Sequence, residues 1–105
     1  MTDQYARFSM GQQVLHRLFE YRGVIFDVDA VFLGSEVWYE QMAKSKPPKN
    51  APWYHVLVHG ADHSTYVAER NLLPYAGVDF IDHPLLDSYF DGFEEGIYRP
   101  RLKVN

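Results

Sequence analysis

Cysteine is absent from the 105-residue chain. That excludes a disulfide scaffold, a thiolate zinc site, an iron–sulfur cluster and a thiol nucleophile. Long apolar runs are missing too: no segment approaches the roughly 20 residues needed to cross a bilayer as a helix. The first residues, Met1-Thr2-Asp3-Gln4-Tyr5-Ala6-Arg7, lack the apolar stretch of a secretory signal. These absences predict a soluble cytoplasmic protein. Positive charge is scarce in one place: between Asp79 and Glu95 there are six acids and no base. Residues 1–50 balance six acids against six bases, whereas residues 51–105 carry eight against four, for a net charge of −4. An acidic domain repels phosphate at long range, which argues against indiscriminate nucleic-acid binding.

Aromatic residues are abundant, at 16% of the chain. They either fill a core or cover a binding surface. With 47% apolar and 23% charged residues, the composition is that of one globular domain. We expect a flexible N-terminus over residues 1–7, a single domain over 8–101 and a flexible tail over 102–105.

The first half reads as β structure, with strands over residues 14–18 and 23–29. The second of these presents an apolar face at Val24, Phe26 and Val28. Residues 19–23 are short enough for a hairpin connection, with Gly23 able to take a positive φ. Ser35 offers an N-cap for a short helix over residues 36–42, which Pro47 and Pro48 prevent from continuing. Residues 53–59 form the clearest strand, and residues 64–68 return as its hairpin partner. Residues 71–74 end that section and 75–83 read as loop. After Pro84, the spacing of Leu85, Leu86, Tyr89, Phe90 and Phe93 predicts an amphipathic helix, which Gly92 weakens and Gly96 ends. Residues 97–99 add a last short strand. The fold class is therefore mainly β (α+β): a small barrel with a short inserted helix and a C-terminal amphipathic helix.

Chemistry is harder to find. His55, His59 and His63 stand four apart, which would align them on a helix, but here they lie on a strand and turn. His55 and His59 would then sit roughly 13 Å apart, too far for donors converging on one zinc ion. His16 has Asp27 and Asp29 on the neighbouring strand, and Ser35 or Ser64 offers a hydroxyl. A cross-strand polar contact is the simpler use of such a His/Asp pair, and no G-x-S-x-G elbow, Walker loop or dinucleotide fingerprint accompanies it. Asp27 and Asp29 read as the solvent side of their strand. The sequence predicts no catalytic residue, no metal site and no cofactor.

Surface signals are stronger. Trp38 and Trp53 bracket a loop bearing Lys44, Lys46 and Lys49, a composition suited to stacking and charge contact with nucleic acid or another partner. The same aromatics would equally clamp the excursion onto the barrel. Arg99, Arg101 and Lys103 form a short basic tail, and Asp87, Asp91, Glu94 and Glu95 form an acidic face that would suit a basic partner.

Five words carry a resemblance, in this order: Gly11-Gln12-Gln13-Val14-Leu15-His16-Arg17-Leu18-Phe19, Tyr21-Arg22-Gly23-Val24-Ile25-Phe26-Asp27-Val28-Asp29, Pro52-Trp53-Tyr54-His55-Val56-Leu57-Val58, Thr65-Tyr66-Val67-Ala68-Glu69 and Tyr98-Arg99-Pro100-Arg101. With the Pro47-Pro48-Lys49 loop and the His83-Pro84-Leu85 helix start, they resemble the heat-shock protein HspQ family, also called the YccV-like or hemimethylated-DNA-binding family. The resemblance runs from about residue 8 to residue 101. It implies an SH3-like β-barrel of the bacterial cytoplasm, without catalytic activity and homo-oligomeric, with a trimer expected. It also implies a stress-response role: promoting degradation of certain denatured proteins, such as the replication initiator DnaA, together with the ATP-dependent Lon protease, as specificity-enhancing factor or substrate. The alternative it implies is a hemimethylated-DNA-binding module. With a protease as partner, the basic tail of Arg99, Arg101 and Lys103 becomes the candidate protease or partner contact, and no membrane partner is implied. The sequence departs from the family pattern at Ala30-Val31-Phe32, where a polar turn is usual, and at residues 75–80, which are more apolar than usual.

Overall fold

A computed structural model describes residues 5–102 of the chain. Strands β1 (Gln13–His16), β2 (Arg22–Asp29), β3 (Trp53–Val58), β4 (Ser64–Ala68) and β5 (Leu72–Pro74) form one antiparallel sheet in the order β4-β3-β2-β1-β5. Helix α1 (Glu36–Met42) lies in the excursion between β2 and β3, and a 3-10 turn (Glu69–Asn71) joins β4 to β5. After a loop, the one-turn helix α2 (Leu86–Tyr89) leads into a separate hairpin of β6 (Phe90–Glu94) and β7 (Ile97–Pro100). The described residues are mainly β, with seven strands and two short helices.

Val14, Ile25, Tyr54, Val56, Val67 and Leu72, which together come from all five strands of the large sheet, meet in one buried cluster closed by Phe8. One concave face therefore holds the main core. The strands are nevertheless not closed into a barrel, because β4 and β5 do not pair with each other. The opposite face is covered as well: Val24 and Leu57 pack against Ile81, Phe90 and Tyr98. Covering both faces explains why the central strands run continuously apolar.

Four sequence expectations change. The register of β2 against β3 shifts at Phe26 (Ile25 pairs with Val56, Asp27 with His55), a β-bulge that adds one residue to β2. Val24 and Phe26 therefore pack on one face, while Val28 joins Ile25 on the other. In the first hairpin the positive φ falls on Glu20 (59°), not Gly23. Gly23 is needed for close approach instead, since a Cβ there would lie 2.4 Å from Val56 Cγ1. Residues 72–74 form the edge strand β5 on β1.

The fourth change is the C-terminal amphipathic helix, which stops after Tyr89. Phe90 is extended (φ −131°, ψ 146°), and Glu95 and Gly96, both at positive φ, turn β6 back onto β7. A second register shift, between Phe90 and Gly92, lets Phe90 and Phe93 share a face despite their spacing of three. That spacing mimics a helix. The inserted helix agrees with expectation: Ser35 Oγ accepts from Trp38 N–H at 3.0 Å as its N-cap.

Candidate functional site

The last strand on one side of the large sheet, β4, borders a groove of about 490 Å³. The tip of the β1–β2 hairpin forms one wall through Leu18 and Phe19, and the end of α1 forms the other through Trp38, Met42 and Lys44. Each wall has a local cause. At the hairpin tip, His16 Nδ1 accepts from the backbone N–H groups of Leu18 and Phe19, both at 3.1 Å, and its ring stacks on Phe19 at 4.7 Å. That leaves Leu18 and Phe19 exposed. Burial of the imidazole pushes its pKa below the ordinary histidine value, which keeps Nδ1 an acceptor. On the other side, Phe32, Trp38, Trp53 and Tyr66 form a nest of rings whose centroids lie 4.8 to 6.1 Å apart.

Tyr66 anchors the floor. Its hydroxyl donates to Asp29 Oδ2 at 2.7 Å and accepts from Leu33 N–H at 3.0 Å. The same carboxylate oxygen lies 3.0 Å from His55 Nε2. Burial, then the hydrogen bond to Asp29, pushes the Tyr66 phenol up to about 12. The donor atoms of Asp27, Asp29 and His55 all lie within 4.8 Å of one another, close enough for a cation. Asp29 is already bonded to His55 and Tyr66, and Asp27 Oδ1 accepts from Val28 N–H at 2.9 Å. The cluster is therefore satisfied by its own hydrogen bonds.

Among the described residues, no Asp or Glu lines the groove, although the chain as a whole is acidic. Its charge comes from Lys44, with His16, His55 and His63 nearby. The three loop lysines are thus separated. Lys44 is exposed on the groove wall. Lys46 Nζ pairs with Glu40 at 2.7 Å, holding that carboxyl below the usual carboxylate range, and Lys49 Nζ pairs with Glu36 at 2.5 Å. Both ammonium groups also lie over the Tyr39 ring. Both tryptophans line the groove, but Trp38 is half-buried, whereas Trp53 is 1% exposed with Nε1 donating to Pro48 C=O at 3.1 Å. Trp53 therefore clamps the excursion onto the sheet.

The basic tail is divided as well. Arg99 pairs with Asp91 at 2.8 Å, and Arg101 Nε donates to the carbonyl of Asp87 at 2.6 Å. Lys103 lies outside the described residues. The three regularly spaced histidines do not converge: His55 contacts Asp29, His59 Nδ1 accepts from Asp82 N–H, and His63 lies 4.0 Å from Asp62. His16 contacts the amides of its own turn and neither Asp27 nor Asp29. The His/Asp pair that does form, His55 with Asp29, depends on the bulge at Phe26. A single sequence carries no mark of where that extra residue falls.

A model of the family described as "Hemimethylated DNA-binding protein YccV like" matches residues 6–97. The matched span contains all of the groove.

Proposed function

From the premise that the chain belongs to the hemimethylated DNA-binding protein YccV-like family, we propose that it is a non-enzymatic binding module of protein quality control. In this reading it engages denatured polypeptides and promotes their degradation by the ATP-dependent Lon protease, as a stress-response factor of the bacterial cytoplasm. Its curled, open sheet is taken as a variant of the SH3-like barrel, and its homo-oligomeric, trimeric state belongs to the same proposal. The supporting observation is the groove beside β4, with its aromatic and aliphatic walls and no acid among the described residues that line it. Apolar concavities of this size suit side chains that a folded client would hide.

The test is degradation of an unfolded reporter by purified Lon, with and without the protein. The reading expects faster degradation, and expects Trp38→Ala to reduce the gain. An unchanged rate together with no binding to the protease overturns it.

The family description favours a second reading, a hemimethylated-DNA-binding module. Discrimination of one methyl group needs a side chain fitted against a base edge in the major groove. Because Lys46 and Lys49 are already ion-paired, Lys44 is the loop cation left to neutralise phosphate. That gives a log K against log salt slope of about −1 from this loop, where three free lysines would give about −3. Lys44→Ala should remove that contribution, and an unchanged slope would place DNA elsewhere on the molecule.

A further inference from the structure

The backbone of β4 says what kind of ligand the groove takes. Val58 N–H donates to the carbonyl of His63 at 3.3 Å, and Glu69 N–H donates to the carbonyl of Pro52 at 3.1 Å. Between these bonds the register pairs Leu57 with Ser64, Val56 with Thr65, His55 with Tyr66 and Tyr54 with Val67. Antiparallel ladders alternate between bonded and non-bonded pairs. His63, Thr65, Val67 and Glu69 therefore direct their backbone groups toward β3, and Ser64, Tyr66 and Ala68 direct theirs away from the sheet. Ala68 is buried against Ala43 and Trp53. Ser64 is exposed and Tyr66 half-buried, and both line the groove. Among the described residues, no strand pairs with β4 on this side, and the N–H and C=O groups of these two make no bond to a turn or loop.

We propose that the groove binds an extended polypeptide segment as an added strand on β4, and that the segment is apolar with an acidic residue beside Lys44. The backbone decides between classes of macromolecule. An unpaired strand edge offers alternating donors and acceptors at the spacing of another peptide chain, which a nucleic acid does not reproduce. The charge decides between peptides. Among the described residues, no carboxylate on the walls opposes an acidic ligand, and Lys44 is the one ammonium that lines the groove. The walls supply the side-chain contacts, with Phe19 on one flank and Trp38 on the other. Natural edge strands are commonly guarded against pairing by prolines, bulges or inward-pointing charges. Residues 64–68 (Ser-Thr-Tyr-Val-Ala) carry neither proline nor charge, and their register against β3 is unbroken.

This inference rests on reading the groove as a polypeptide site, and its test is separable from the protease assay. The probe is a fluorescein-labelled decapeptide alternating aspartate with leucine and phenylalanine, titrated into the full-length protein. Hydrogen exchange is followed at the Ser64 and Tyr66 amides. Binding should slow exchange at Tyr66 at least tenfold. N-methylation of the four central peptide amides should abolish binding, since it removes donors and leaves every side chain in place. Lys44→Glu should weaken the acidic peptide about tenfold. Ser64→Pro, on the open edge, should block it without disturbing the bonds to β3.

Equal affinity for the N-methylated peptide, or unchanged Tyr66 exchange at saturation, overturns the proposal. Binding of a ten-nucleotide oligothymidylate to the groove in place of the peptide also overturns it. Peptide binding with Tyr66 protection but no stimulation of Lon would remove the protease reading alone. Stimulation of Lon without Tyr66 protection would remove strand addition alone.

Discussion

Tyr66 and Asp29, on strands separated by β3, are joined by a hydrogen bond of 2.7 Å from phenol to carboxylate. His55 reaches the same oxygen from the intervening strand. The contact ties the groove floor to the start of the excursion, because the Tyr66 hydroxyl also receives Leu33 N–H. Tyr66→Phe keeps the ring and removes both bonds. We expect a loss of about 1–2 kcal/mol in urea unfolding, the cost of withdrawing one partner from groups that are partly shielded from water. Strand addition at the Tyr66 backbone should survive the same change. A variant as stable as the parent would show that water replaces the hydroxyl at no cost.

His16 makes stability depend on pH in a direction that follows from its shift. Burial lowers its pKa below the unfolded value of about 6.5. The folded chain therefore binds fewer protons than the unfolded chain between the two pKa values. Stability from this group is fully present above about pH 6.5 and falls as pH drops below it, levelling off beneath the folded pKa. Protonation also replaces the Nδ1 acceptor with a donor facing the Leu18 and Phe19 amides. In parallel urea titrations, the stability advantage of the parent over His16→Gln should shrink between pH 7 and pH 5. A gap that stays constant over that range would show that His16 does not couple folding to protons.

Two glycines at positive φ separate crowding from backbone conformation. Gly11 sits at φ 91° and exchanges hydrogen bonds with its neighbours: its N–H donates to Ile25 C=O at 2.7 Å and its C=O accepts from Tyr98 N–H at 2.9 Å. A Cβ there would fall 1.9 Å from the Tyr98 carbonyl oxygen. Gly60 sits at φ 76° and, among the described residues, has nothing within 4 Å of the same position. Gly60→Ala should cost about 1–2 kcal/mol, the price of a left-handed conformation alone. Gly11→Ala must also push β7 away from the sheet, so it should cost more and change near-ultraviolet circular dichroism around Tyr98. Equal losses in thermal or urea unfolding would contradict the close approach.

Much of the large sheet was readable from local pattern, because turn chemistry and alternation agreed there. Ser35 before an acidic first turn marked α1, and the apolar run from Trp53 with its return at Ser64 marked a hairpin. The failures share one cause. At Phe26 and at Asp91 an extra residue enters a strand, and each time the spacing of apolar side chains ceases to report the face they occupy. At Phe90 and Phe93 this imitated a helical period. At Val28 it reversed the face. The lysine cluster was legible as composition, but its partition between the groove and Glu36 and Glu40 required the direction of α1. The open backbone of Ser64 and Tyr66 has no side-chain signature, so only strand order exposes it.

The last prediction concerns how the C-terminal hairpin is held to the sheet. Gln13 is fully buried, and its amide donates to the carbonyls of Asp79 at 2.8 Å and Gly96 at 3.0 Å. Its carbonyl oxygen accepts from Arg22, whose guanidinium also donates to Phe80 C=O at 3.0 Å. One side chain of β1 thus binds the 75–83 loop and the β6–β7 turn. Gln13→Leu preserves volume approximately but leaves the buried Gly96 carbonyl without its donor and the Arg22 guanidinium without the Gln13 oxygen, while the Asp79 carbonyl keeps Arg22 at 3.3 Å, with an expected loss of about 2–4 kcal/mol for two unmet contacts. The loss should be local before it is global. Amide exchange in β6 and β7 should accelerate well beyond that in β2 and β3, because β6–β7 forms its own two-stranded sheet. Uniform acceleration across both sheets would mean that the apolar contacts of Phe90 and Tyr98 with Val24 and Leu57 couple the two sheets without help from Gln13.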